Sequence, residues 1–277
     1  MIEVAGLNIE GFEVMAKKYT IVELLTSAKP YYFSWLFRQY PVAENIAYFD
    51  PDIMVFQPLT MLEESLQQYD IILTPHFTAP INDDCLPTEL HVMQTGIYNL
   101  GFIAVKRSQN SFNMLNWWQS RLKGQCLIDL SRGLFVDQLW ANLIPAYFDK
   151  VLIEKYPGYN MAHWNLHERH LSKPDGSFYV NDAPLVFYHF SHYSPANPNI
   201  IAAHHNRYTF ETRPELKELF GAYKASLIQY NYFNLKNVAC FYLNDEKKKK
   251  RKRELETFMR MALPDRLKGR IKKLLRK

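Results

Sequence analysis

A chain of 277 residues, 48% apolar and 15% aromatic, has enough nonpolar surface for one large domain with an appendage. Three cysteines, Cys85, Cys126 and Cys240, lack metal-ligand spacing, which argues against a disulfide framework and for a reducing compartment, the cytoplasm. The net charge of +5 is unevenly spread: residues 247–277 carry fifteen Lys or Arg against three acids (+12), and residues 1–246 carry eighteen against twenty-five (−7), a sign that argues against nucleic-acid binding by the body.

The opening segment, MIEVAGLNIEGF, has an early acid and no basic-then-apolar pattern, and no later apolar run reaches the length of a membrane span. The chain is therefore expected to be neither secreted nor transmembrane. Residues 12–39 read as helical, with a break where Pro30 opens a second helix. Ile46 to Phe49 reads as a buried strand, and the apolar run resumes at Ile53, Met54, Val55 and Phe56. Further strands are expected at Ile71 to Thr74, Ile97 to Val105 and Leu185 to Phe190, with helices at Met61 to Gln68, Phe112 to Leu122, Phe135 to Leu143 and Pro214 to Tyr230. This alternation predicts an α/β fold with a mixed sheet. Residues 156–210, rich in aromatics, Asn, His and Pro, read as long loops packed over that sheet, a common place for substrate.

Between the first two apolar runs stands Asp50-Pro51-Asp52. The tripeptide has two readings: a turn after a strand, since Asp and Pro both favour turns, or a pair of hard oxygen ligands at a strand's carboxyl end. In the second reading the pair suits Mg²⁺ or Mn²⁺ shared with a diphosphate, because a divalent cation neutralises phosphate charge and stabilises it as a leaving group. A third ligand is available in LVFYHFSHYSP, where His189 and His192 end another apolar strand; imidazole suits Mn²⁺ better than Mg²⁺.

The blocks YFDPDIMVFQPL, LTPHFTAP, GIYNLGFIAVKRS, GLFVDQLWANLIP, GYNMAHWNLHERHL and FYHFSHY resemble, in order and approximate spacing, bacterial glycosyltransferases of the GT-A fold related to the retaining glycosyltransferase family eight, which includes glycogenin and lipooligosaccharide galactosyltransferases. The resemblance runs from about residue 7 to 210. It implies a Rossmann-like mixed sheet, a nucleotide-sugar donor, usually a UDP-sugar, hexosyl transfer with retention, and a divalent metal held by Asp50, Asp52 and His189. It also implies that Asn99 and Gly101 line the donor pocket and that the catalytic pair Asp137 and Gln138 lies near the transferred sugar.

Physical chemistry is compatible with these roles and leaves alternatives at two of them. Glycosyl transfer passes through an oxocarbenium-like state as the diphosphate departs, so Asp137 suits the cationic side, while the Gln138 amide is a poor nucleophile and better suited to orienting the sugar. Gly101 would allow close backbone approach to a ligand, or mark a strand bulge. Asn99 would bond a sugar hydroxyl, or cap a turn. His76, Asn160, Trp164, Asn165 and His167 are expected on the acceptor side, with Trp164 as an apolar face for a sugar ring.

Two departures from the family pattern stand out. Gly is usual where this chain has His192, and full-length relatives carry roughly one further βαβ unit ahead of the point where this chain begins, so the fold is expected to be N-terminally shortened, with weak nucleotide binding. The same residues admit three other classes: an Asp-x-Asp phosphatase of the haloacid dehalogenase type, for which Met54 is the wrong residue after the second Asp; a truncated non-catalytic module; and a nucleic-acid binder resting on the tail alone. Two domains are expected, residues 1–246 as the transferase and residues 247–277 as a basic amphipathic helical tail, with Leu255, Phe258, Met259, Met261, Leu267, Ile271, Leu274 and Leu275 on an apolar stripe broken at Pro264. Such a tail suits anionic lipid, which places the protein on the inner face of the membrane, with a cell-surface glycan or glycolipid as acceptor.

Overall fold

The computed structural model of the chain describes residues 3–242 and Leu255. The expected basic tail lies, apart from Leu255, outside the described residues. No helix among the described residues is long and apolar enough to cross a membrane.

Helix α1 spans Phe12–Lys18 and α2 spans Ile21–Gln39. The helical stretch breaks at Tyr19-Thr20, and Pro30 lies inside α2, contrary to the expected start of a second helix there. Two forces set these limits. Thr20 is the N-cap, with its amide held by the fully buried Glu23 carboxylate at 2.8 Å, and that carboxylate also takes the amide of Ile128 at 2.8 Å. An internal proline costs about 3 kcal/mol in a helix. Burial of Leu24, Ser27, Ala28, Phe33 and Phe37 offsets it, and Gln119 bonds the Pro30 carbonyl at 3.1 Å.

The strands then follow: β1 (Asn45–Phe49), β2 (Ile53–Val55), helix α3 (Thr60–Gln68), β3 (Ile71–Pro75), helix α4 (Glu89–Thr95), β4 (Tyr98–Lys106) and helix α5 (Gln109–Gln125). Helix α4, which the sequence reading did not foresee, is short and carries Leu90 and Met93 on an exposed face, so it has little periodicity to read. Residues expected as one helix from Phe135 to Leu143 are instead β6 (Leu134–Phe135), paired with β5 (Ile128–Asp129), then α6 (Gln138–Ala141) and α7 (Ile144–Tyr147). Val136, at φ 41°, is the cause: a β-branched residue in the left-handed region ends the strand and cannot continue into a helix.

After β7 (Val151–Ile153) the aromatic region holds short strands as well as loops: β8 (Met161–Ala162), β9 (Leu171–Ser172), β10 (Tyr179–Val180), β11 (Ala183–Pro184) and β12 (Phe187–His189). Helices α8 (Leu216–Gln229) and α9 (Tyr232–Leu235) complete the elements.

The main sheet has the order β1-β4-β3-β7, with β4 antiparallel to both neighbours and β3 parallel to β7. It is a mixed sheet in an α/β fold. Alternation along β3 sends Ile71 and Leu73 to one face, where α2 and α5 supply Phe33, Phe37, Met114 and Trp118, and Ile72 to the other, with Leu62 and Leu66 of α3. A smaller sheet, β2-β12-β8, joins the second face through Phe187, which packs on Phe49 and Phe102.

Strand β4 carries one irregularity. Leu73 pairs with Ile103 but Pro75 pairs with Tyr98, so two steps along β3 match five along β4. The extra residues form a bulge in the pairing with β3 between Tyr98 and Ile103, while the β1 side continues to Gly101, whose carbonyl accepts from the Asp50 amide at 2.7 Å.

Candidate metal centre and cleft

Asp50 and Asp52 sit on a tight turn between β1 and β2: the Ile53 amide bonds the Asp50 carbonyl at 3.0 Å, with Pro51 in the second turn position. Turn and ligand pair are thus one structure, since the turn holds both carboxylates near one point. Pairing of β2 with β12 brings in the third group. His189 lies opposite Ile53, and the Phe190 amide bonds the Asp52 carbonyl at 2.8 Å. His189 Nε2 stands 3.1 Å from Asp52 Oδ1 and 4.0 Å from Asp50 Oδ2. Ligand atoms of Asp50, Asp52 and His189 all lie within 4.8 Å of one another. Burial would raise the Asp52 carboxyl, but the hydrogen bond and charge of His189 outweigh it and hold the group below the ordinary carboxylate range.

Lys29, which the sequence reading passed over, organises the anionic side. It projects from the middle of α2 and is 6% exposed; its ammonium lies 3.0 Å from Asp137 Oδ2 and 3.7 Å from Asp50 Oδ1, and it donates to the Leu100 carbonyl at 2.8 Å. Burial would lower the ammonium, but Asp137 and Asp50 overcome that and raise it, so the charge is kept. Burial pushes the Asp137 carboxyl up, opposed by Lys29. Tyr48 donates its hydroxyl to Asp50 Oδ1 at 2.5 Å. The only sequence signal for Lys29 was a lysine among the buried positions of an amphipathic helix, a pattern more often due to a snorkelling side chain.

These groups line a cleft of about 510 Å³. Asp137 faces it directly after the left-handed Val136. Gln138 also lines it, but both ends of its amide are engaged: Oε1 accepts from the Leu100 amide at 3.2 Å and Nε2 donates to the Thr95 carbonyl at 3.0 Å. Asn99 is 7% exposed, and its Oδ1 accepts from the Gly101 amide at 3.2 Å and from Asn160 Nδ2 at 3.2 Å. The same oxygen is 3.1 Å from His189 Nδ1, while Asn99 Nδ2 is 3.3 Å from His76 Nε2. Gly101 lies under His189: a Cβ there would fall 2.3 Å from Cε1 of the ring.

The residues expected on the acceptor side separate into three groups. His76 and Trp164 line the cleft, with burial pushing the His76 imidazole down to about 4. Trp164 is enclosed by His76, His163 and His189 at ring distances of 5.1, 5.1 and 5.2 Å, and little of its surface is open. Asn160 and Asn165 are fully buried and bond Thr74, Asn99 and the backbone of Ala162, His76 and Asn160. His167 is not among the cleft residues; it reaches the Ala79 carbonyl at 3.2 Å and packs on Phe77.

The open wall of the cleft is made instead by His91, His192 and His204, all exposed, with the buried His163 behind. The rings of His192 and His204 stand 4.7 Å apart, and His192, at φ 60°, is outside the metal-compatible trio. The sequence singled out His192 but not the wall, because His91 lies on α4 and His192 and His204 on loops, with no shared spacing.

The trio is chemically suited to a divalent cation. Asp50, Asp52 and Asp137 bring three negative charges against one positive charge on Lys29, an excess of two, and a mixed carboxylate–imidazole set fits Mn²⁺.

No protein-family model matches the chain. It is 26% identical over 237 residues to the uncharacterized protein YfnF of Bacillus subtilis (strain 168), covering 83% of this chain and 76% of YfnF. It is 25% identical over 174 residues to the uncharacterized protein YfnD of the same organism, covering 62% of this chain and 54% of YfnD. Among solved structures it is similar to a glycosyltransferase involved in the glycosylation of the major capsid of PBCV-1, at 13% identity and a TM-score of 0.41, covering 65% of this chain and 75% of the other.

Proposed function

We propose that this chain is a metal-dependent glycosyltransferase of GT-A type that moves a sugar from a nucleotide-sugar donor, a UDP-sugar by family resemblance, to a cell-surface glycan or lipid-linked acceptor. One observation carries the reading: a turn and a distant strand end bring Asp50, Asp52 and His189 together in a cleft whose other wall presents Asp137, with two negative charges in excess. Asp50, Asp52 and His189 would hold Mn²⁺ or Mg²⁺, and a bound cation supplies charge neutralisation for the departing diphosphate.

The chain's own residues account for the remaining requirements. Lys29 lies between Asp137 and Asp50 and favours the carboxylate form of Asp137 against the burial that raises it; as a carboxylate, Asp137 would stabilise positive charge at the reacting carbon. Gln138 has both amide ends occupied, which suits it to bracing α4 against β4 and holding the wall that meets the sugar. Acceptor hydroxyls would meet the wall of His91, His192 and His204. Retention of configuration, hexosyl specificity and attachment to the inner face of the membrane through the basic tail belong to the same reading.

A thermal-shift screen of nucleotide sugars with and without Mn²⁺, followed by product detection with the donor that stabilises, tests it. Mn²⁺-dependent stabilisation by a UDP-sugar with sugar transfer is expected. Release of phosphate from simple phosphoesters would favour the phosphatase reading, and absence of any nucleotide-sugar binding would favour a non-catalytic module.

A further inference from the structure

We infer that Asn99 is a positioning residue for His189: its carbonyl takes the hydrogen on Nδ1 and so turns Nε2 towards Asp50 and Asp52, with His76 fixing the Asn99 amide from behind. The inference rests on the metal reading above for its consequence, though not for its geometry.

Backbone atoms settle the orientation. The Gly101 amide can only donate, and it lies 3.2 Å from the Asn99 oxygen, so that end of the side chain is the carbonyl. The same oxygen lies 3.1 Å from His189 Nδ1, and two acceptors cannot share that distance favourably; Nδ1 therefore carries the hydrogen. The remaining nitrogen, Nε2, is the one 3.1 Å from Asp52, where the carboxylate accepts from it in the ion-free chain and where a cation would take the place of that hydrogen. The opposite end of the chain closes in the same way. The Ile97 carbonyl can only accept, so His76 Nδ1, 3.1 Å away, donates to it, leaving His76 Nε2 to accept from Asn99 Nδ2 at 3.3 Å. Each member has one consistent role, from the Ile97 carbonyl through His76 and Asn99 to His189. Burial, which brings His76 down to about 4, keeps it neutral and therefore an acceptor.

Gly101 completes the cradle. A side chain there would strike the His189 ring at 2.3 Å and Asn99 Oδ1 at 2.9 Å. The bulge in β4 thus places an asparagine and a glycine two residues apart around one imidazole, the first fixing its proton and the second giving it room. In this assignment the pair serves the histidine, and through it the cation, in place of direct contact with the donor sugar.

The test uses the full chain without donor or acceptor. Nitrogen NMR on protein labelled with ¹⁵N-histidine, with His189 identified by the signal lost in His189→Gln, should show a hydrogen-bonded Nδ1–H in the wild type and loss of that hydrogen bond in Asn99→Ala. Mn²⁺ titration by calorimetry should show a loss of about 10- to 100-fold in affinity for Asn99→Ala. Asn99→Asp retains an oxygen for Nδ1 and should recover affinity to within a few fold, a rescue that a merely structural role would not give. His76→Phe should weaken the Nδ1–H hydrogen bond in the direction of Asn99→Ala. An Nδ1 without hydrogen in the wild type, or a wild-type Nδ1–H signal and affinity in Asn99→Ala, would overturn the proposal. Failure of the wild type to bind Mn²⁺ would sink the metal reading while the Nδ1–H measurement still decides the role of Asn99.

Discussion

Lys29 and Asp137 form a buried ion pair at 3.0 Å that ties the centre of α2 to the start of α6 across the head of the cleft. Both side chains are almost wholly enclosed, so removing one leaves the other charged and unpaired in a low-dielectric setting. Lys29→Met is therefore expected to destabilise the fold by about 3–5 kcal/mol. The double variant Lys29→Met/Asp137→Asn should recover a substantial part of that loss. Urea unfolding of the wild type, Lys29→Met, Asp137→Asn and the double variant measures the coupling, and additive effects would mean that the pair is not an energetic unit.

At the candidate metal centre, Asp52→Ala removes a proposed ligand but little core volume, since Asp52 is among the more open groups of the site. The expected outcome is loss of the Mn²⁺-dependent thermal shift with the circular dichroism spectrum retained. His189→Ala should weaken the response by less, because two carboxylates remain. If His192→Ala is the more damaging change, then the exposed neighbour three residues on is the ligand. An unaltered Mn²⁺ response in Asp52→Ala would end the metal assignment.

How much of this was legible in the sequence varies with the range of the interaction that decides each element. Strands β1, β3 and β4 could be read because their apolar runs are local and strong. The interruption at Pro30 was misplaced, because proline's local preference is overridden by burial of the helix face against α5, a contact between residues far apart in the chain. The reading of Phe135 to Leu143 as one helix failed at Val136, whose left-handed backbone is imposed by neighbours and contradicts its own propensity. In the site, Asp50, Asp52 and His189 were visible because each ends an apolar run. Lys29 was not, since nothing in LLTSAKPYYF reveals that Asp137, more than a hundred residues away, will meet it. Asn99 and Gly101 were picked out, and the structure sets them beneath His189.

Stability should fall on mild acidification. The folded state holds His76 near 4, against roughly 6.5 in an unfolded chain. Above pH 6.5 both states are neutral and the contribution is fully present. As pH falls from 6.5 towards 4, the unfolded chain takes up the proton and the folded one does not, so stability is lost; below 4 the loss stops growing. For His76 alone the limit is about 3 kcal/mol. His205, also near 4 through burial and the charges of Arg207 and Arg213, acts in the same direction. Urea midpoints between pH 7.5 and 4.5 should decline, and His76→Gln should flatten the slope. A midpoint constant over that window would show that the imidazole is not buried neutral.

The basic tail gives the last prediction. Residues 247–277 carry +12 against −7 on the rest of the chain, so attraction to an anionic surface should reside there, at roughly 1 kcal/mol per basic residue near the lipid. Deleting them should release the protein from vesicles containing phosphatidylserine, and salt should have the same effect on the full chain, because the attraction is screened within a Debye length of about 10 Å at 0.1 M. Transfer to a soluble acceptor should be unchanged, since none of the groups lining the cleft is removed. There is a structural alternative for membrane contact. Helices α2 and α4 border the cleft and expose Leu25, Leu90 and Met93, each about two-thirds accessible. Contact through those side chains would be apolar and would survive both salt and deletion. Vesicle co-sedimentation of the full chain and the deletion at low and high salt separates the two: binding that persists in the deletion would move the membrane-facing surface from the tail to the rim of the cleft.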